Sequence, residues 1–270
     1  MNLPRHHSMT SPVPQECAAG SAGLTSLQRS AARNLVATAI ALTLVAAVVS
    51  VTGGLGPDYP LKGLLLYAVG AWLVWRALGR GTHPHPSFGA ANRITLMRLA
   101  LLALLAAFVG EAVPQPPLAS MPAAWLIVTA ATLTALLDAV DGSLARRSGQ
   151  SSEFGARFDM ETDAAFTLVL CVLVLQAGQA GPWVLAAGLM RYAFVVAARC
   201  LPWLAGALPP SRRRQTVCVV QITTLIVCLG PIVPPSVATV LAAFSVGLLA
   251  VSFAIDIRTL ARARPSILET

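Results

Sequence analysis

Eight apolar stretches, each close to the length that crosses a bilayer, follow one another along this chain. They fall at 35–51, 59–75, 94–108, 123–140, 163–177, 183–201, 217–233 and 237–255. Helix breakers separate them: Gly53-Gly54, Pro84 and Pro86, Pro114 with Pro116-Pro117, Gly181-Pro182, Pro209-Pro210, and Pro231 with Pro234-Pro235. The third and fifth stretches are the least regular, being short or carrying charge near one end. Only 11% of the 270 residues are charged, and 56% are hydrophobic. Soluble domains carry about 25% charge. Soluble, disordered and fibrous classes are therefore excluded, and a polytopic all-α membrane bundle remains.

The loops between these stretches differ sharply in charge. One alternating set holds Arg29, Arg33, Arg76, Arg80, Arg93, Arg146, Arg147, Arg157, Arg212, Arg213, Arg214, Arg258, Arg262 and Arg264. The other set holds Asp58, Glu111 and, as its cation, Lys62. The positive-inside rule then places both termini and all Arg-rich loops in the cytoplasm of a multi-pass inner-membrane protein. The net charge of +8 is accordingly read as topology and contact with anionic headgroups, not as nucleic-acid binding. Residues 1–33 read as a disordered cytoplasmic tail. A secretory leader is the other reading there, but the run at 35–51 starts late and is long for one. Five cysteines, an odd number with no CxxC spacing, give neither a disulfide framework nor a zinc site.

Acidic residues cluster as strongly as the arginines disperse. Of eleven, six lie between Asp138 and Asp163. Asp138 and Asp141 are three apart at the end of one helix; Asp159 and Asp163 are four apart at the start of the next. Each pair shares a helical face, so four carboxylates can converge if the two helices pack across a loop at 143–158. Bare carboxylates at that density repel, and a divalent cation relieves the repulsion. With no His or Cys in the cluster, the ligand set is all oxygen, which suits Mg²⁺ or Mn²⁺ rather than zinc. The competing reading is an interfacial salt-bridge network with Arg146, Arg147 and Arg157.

The run Asp138-Ala-Val-Asp141-Gly142-Ser-Leu-Ala145-Arg146, then Gly155, Asp159 and Asp163, resembles the signature of the CDP-alcohol phosphatidyltransferases at every position and spacing. The resemblance implies a six-helix core, here 87–264, preceded by two extra membrane helices at 34–86 and followed by a short tail at 265–270. It implies displacement of CMP from CDP-diacylglycerol by an alcohol acceptor, a pair of Mg²⁺ or Mn²⁺ ions, and a homodimer. In that frame Asp138, Asp141, Asp159 and Asp163 are metal ligands, with Asp163 also the catalytic base. Gly142, Ala145 and Gly155 admit the nucleotide, Arg146 binds a diphosphate oxygen, and Ser152 faces the nucleotide. Asn92, Thr95 and Arg98 match the family's Asn-x-x-Thr-x-x-Arg segment and can line the same cavity; the other reading has Arg98 snorkelling to headgroups. Arg191, Arg199 and Arg213 are assigned to the acceptor. Tyr192 stands where relatives often carry Glu, a departure from the glycerol-phosphate branch.

Two rivals come from other classes. A cation transporter would space its acids through the membrane depth and show an internal repeat; these acids sit at one level and no repeat is found. A non-catalytic lipid-binding protein would have a degenerate signature, and this one is intact. The orientation has a direct check. A cysteine at Ser148, in a cysteine-free background, is expected to react with an impermeant thiol reagent only from the cytoplasmic side, and labelling of intact cells from outside would refute it.

Overall fold

The computed structural model describes residues 15–78, 89–111, 122–148, 153–206, 208–209 and 211–262, and gives helix alone, without side chains, for 15–25, 90–91, 122, 140–148 and 153. Among the described residues there are eight α-helices and no strand. They are α1 (Gln15–Gly53), α2 (Tyr59–Leu78), α3 (Ala90–Ala107), α4 (Pro122–Ser148), α5 (Glu153–Gln176), α6 (Leu185–Cys200), α7 (Arg212–Cys228) and α8 (Pro235–Arg262). Each apolar stretch lies mainly on its own helix. The protein is an all-α membrane bundle. Four segments among the described residues are long and apolar enough to cross a bilayer: 26–53, 59–78, 182–200 and 235–262. A shorter apolar stretch, 123–139, lies on α4, while α5 carries Asp159, Glu161 and Asp163 and α7 opens on three arginines.

Helices run past the apolar stretches wherever polar helix formers follow. α4 continues to Ser148 and α5 starts at Glu153, so the loop expected at 143–158 narrows to the residues between them. Arg, Glu, Met and Ala favour helix nearly as well as the apolar residues do, and hydropathy therefore ends before the helix does. The same effect shortens the expected N-terminal tail. α1 reaches back to Gln15, and Leu27 and Ala31, assigned to the tail, are buried against the bundle.

On the last helix the contacts inward are made through small side chains, while large apolar ones face outward. On α8, Ala238, Ala242, Ser245 and Ser252 are buried, whereas Val240, Phe244 and Val251 are exposed. Small residues let helix axes approach where hydrocarbon outside gives no hydrophobic drive. The tightest approach is at Gly188 on α6, where a Cβ would stand 2.6 Å from the Leu168 Cα of α5.

Side-chain staples fix the end opposite the Arg-rich loops. Helix α5 stops at Gly178 with φ 67°, and the Gln179 N–H closes on the Val174 carbonyl in a Schellman turn. Gln176 there donates to the Phe108 and Glu111 carbonyls at 3.1 and 2.9 Å and accepts from the Gly110 N–H at 2.8 Å. Thr239 donates to the Gln179 carbonyl at 2.9 Å, tying α8 to the same corner. The two additional helices are held by tyrosines: Tyr59 donates to the Leu104 carbonyl of α3 at 2.8 Å, and Tyr67 to the Leu35 carbonyl of α1 at 3.0 Å. The first helices are thus packed directly on α3.

Gly188→Ala is expected to force α5 and α6 apart, because the clash is with backbone and not with the tip of a side chain. A loss of about 1–3 kcal/mol, read as a lower thermal midpoint of the purified protein in detergent, is the expected outcome.

Candidate active site

Three helices deliver charge to one point near the Arg-rich end of the bundle. Asp138 comes from α4, one turn after the fully buried Thr134, and Asp159 and Asp163 come from consecutive turns of α5. Oxygens of these three carboxylates lie within 4.8 Å of one another. Into that group α3 inserts Arg98, which has no exposed surface. Its Nη1 donates to Asp159 and lies 2.9 Å from the Oδ1 of Asp138, while Nη2 donates to Asp163. The carboxylate side chains are 30–42% exposed. The site is therefore an open acidic mouth with a guanidinium as its floor. Burying that cation is affordable only because three acceptors surround it.

Asn92 and Thr95 are buried on the stretch of α3 that leads to Arg98. On the far side, Cys218 of α7 lies within electrostatic reach of Asp163, Asp138 and Arg98, so α7 forms a fourth wall. Gly155 is half-buried on α5, one turn before Asp159. Asp141, Gly142, Ala145 and Arg146 stand on the last turns of α4, with side chains outside the described residues, and Ser152 lies outside them altogether.

Two of the arginines assigned to an acceptor are paired with other acids. Arg191 donates to Glu161 at 2.6 Å. Glu161 lies two residues from both Asp159 and Asp163, which puts it on the opposite face of α5 at about 100° per residue. Arg199 is exposed near the Arg-rich end of α6. Arg213 is turned to α8, where it donates to the Ser252 carbonyl at 2.7 Å, to the Ser252 hydroxyl and to Asp256 at 2.5 Å. Arg214 shares Asp256 at 3.3 Å and also donates to the Pro209 carbonyl. Neither Arg191 nor Arg213 is brought to the carboxylates.

Arg98 is what the sequence reading undervalued. Spacing placed it on a face with Asn92 and Thr95, and the alternative sent it to the headgroups; the structure buries it completely. The signal was present in the acid cluster itself, since convergent carboxylates in an apolar bundle attract positive charge, from a neighbouring helix as well as from a bound cation. The donor set meets the requirements of a hard divalent ion: all oxygen, mutually close and open on one side.

An all-helical membrane bundle with an oxygen-only acidic site at one end is equipped to handle phosphate esters at a lipid surface. The family model described as CDP-alcohol phosphatidyltransferase matches residues 88–255, and this chain belongs to that family. Comparison with curated proteins and with solved structures found no match. Membership makes the protein a membrane transferase of phospholipid synthesis acting on CDP-alcohol substrates. The matched segment starts just before α3, leaving α1 and α2 as additions to the family core.

Proposed function

We propose that the protein transfers the phosphatidyl group of CDP-diacylglycerol to an alcohol acceptor, releasing CMP, at the cytoplasmic face of the inner membrane and as a homodimer. The observation that carries this reading is the convergence of Asp138, Asp159 and Asp163 from α4 and α5, within an intact signature, onto one open point. With Asp141 one turn further along α4, these carboxylates would hold a pair of Mg²⁺ or Mn²⁺ ions. When bound, the ions supply positive charge against the diphosphate oxygens.

Around that centre the chain's own residues divide the work. Gly142, Ala145 and Gly155 offer a surface without bulky side chains for the nucleotide, as the family signature implies. Arg146 and Ser152 supply donors for the diphosphate and nucleotide, as do Asn92 and Thr95 of α3. The acceptor hydroxyl attacks the lipid-side phosphorus, its proton passes to Asp163, and the bond to the CMP oxygen breaks. A hydroxyl has a pKa far above neutrality, so proton transfer accompanies attack and requires a carboxylate in reach. Arg98 donates to Asp163 beside Asp138 and Asp159, which supports counting Asp163 among the carboxylates of this site. Positioning and electrostatics carry most of the acceleration in such transfers. Arg199, with Arg191 and Arg213 once released from Glu161 and Asp256, supplies positive charge for a phosphorylated acceptor. The arginine-rich loops support the cytoplasmic placement.

Incubation of purified protein with labelled CDP-diacylglycerol and a panel of alcohols, reading CMP and product mass, tests the reaction. Chelation is expected to abolish CMP release and added Mg²⁺ or Mn²⁺ to restore it; full turnover in chelator would remove the metal from the scheme. Asp163→Asn keeps size and one metal-capable oxygen but loses the base. It is expected to cut turnover by about 10²-fold or more while leaving CDP-lipid binding within a few-fold of wild type. Asp138→Asn is expected to weaken donor binding along with turnover. Equal loss of donor binding in both variants would dissolve the separate role of Asp163.

A further inference from the structure

Arg98 is committed in a way that ordinary structural arginines are not. Both of its terminal nitrogens face carboxylates, three of them in all, yet its Nε is buried without a hydrogen-bond partner. The guanidinium is thus presented tip-first into the acidic mouth, with one donor left over. Among the described residues three carboxylates face this one guanidinium, an excess of two negative charges at a partly exposed point.

From this arrangement we infer that Arg98 is an exchangeable counter-ion: it holds the carboxylates together when no divalent cation is bound and yields them to the cation, then turning its fork to the diphosphate. The inference rests on the proposed reaction for the identity of that diphosphate. Its logic is charge balance. A divalent cation and a guanidinium compete for the same oxygens, and like charges crowded on one cluster repel. Once cations hold the carboxylates, Arg98 is a surplus positive charge at the floor of the site, and its planar fork matches phosphate oxygens. The unpartnered Nε gives the turned guanidinium a second edge from which to donate.

A residue that merely braced the site would leave both ligands weaker when removed. An exchangeable counter-ion moves them in opposite directions. Arg98→Gln should therefore bind Mn²⁺ about tenfold more tightly than wild type, because its competitor is gone, and the Mn²⁺-loaded variant should bind CDP about tenfold more weakly. In chelator the same variant should melt several degrees below wild type, with Mn²⁺ closing most of the gap. Electron paramagnetic resonance of free Mn²⁺, calorimetric CDP binding and thermal melts read these three quantities without any turnover. Mn²⁺ affinity that falls or stays constant, or CDP binding that is unchanged, overturns the inference.

Should Arg98→Gln not fold, Arg98→Lys keeps the charge but loses the fork. It should hold Mn²⁺ within threefold of wild type and bind CDP at least threefold more weakly, and the reverse pattern is equally decisive. Failure of CDP-diacylglycerol transfer with every acceptor would sink the proposed reaction while leaving the Mn²⁺ and CDP measurements to judge Arg98 on their own.

Discussion

A guanidinium buried among three carboxylates is the constraint on which the rest of this bundle depends. Arg98 has no exposed surface, and an uncompensated charge in that position would cost several kcal/mol. The cost is met only if α4 and α5 both turn their acids towards α3. That requirement sets the rotation of three helices at once and brings together residues 61 and 65 positions apart in the chain. At the other end, Gln176 and Gln179 perform the corresponding task with neutral groups, closing the ends of α3, α5 and α8 through backbone carbonyls. The bundle is therefore open and acidic at one end, and at the other it is stapled by amides beside the Lys62–Glu111 ion pair.

This polarity suits transfer between a lipid and a water-soluble nucleotide. The carboxylates are open enough to receive ligands, whereas the groups that hold them are buried. A preorganised electrostatic site of this kind does not have to rearrange its own dipoles as charge moves, which is where such sites gain most of their effect. The small inner residues of α8 and the close approach at Gly188 pack the helices tightly around that geometry.

Arginines at the charged end differ in what they are free to do. Arg213 and Arg214 share Asp256 and clamp α7 to α8, and Arg191 is matched to Glu161. Counting arginines in loops gives an expected side of the membrane. It does not say which of them already have a carboxylate. The two additional helices show the same division, since their apolar lengths are plain in the sequence while the tyrosine bonds that fasten them to α3 and to each other are not.

Much of this protein was legible in one dimension. Apolar length and helix breakers counted the helices, and a run of four Asp at fixed spacing marked the acidic cluster and the family. These features are local, so a linear pattern carries them. What the chain did not reveal was which face of each helix turns inward. On a membrane helix both the lipid side and the packed side are apolar, and α3 shows almost no contrast between its faces. Hydrophobic periodicity therefore could not say that Arg98 points into the bundle and not to the headgroups, nor that Arg191 pairs behind the site with Glu161. Those outcomes were decided by packing, where each buried charge had to find its counter-charge on another helix.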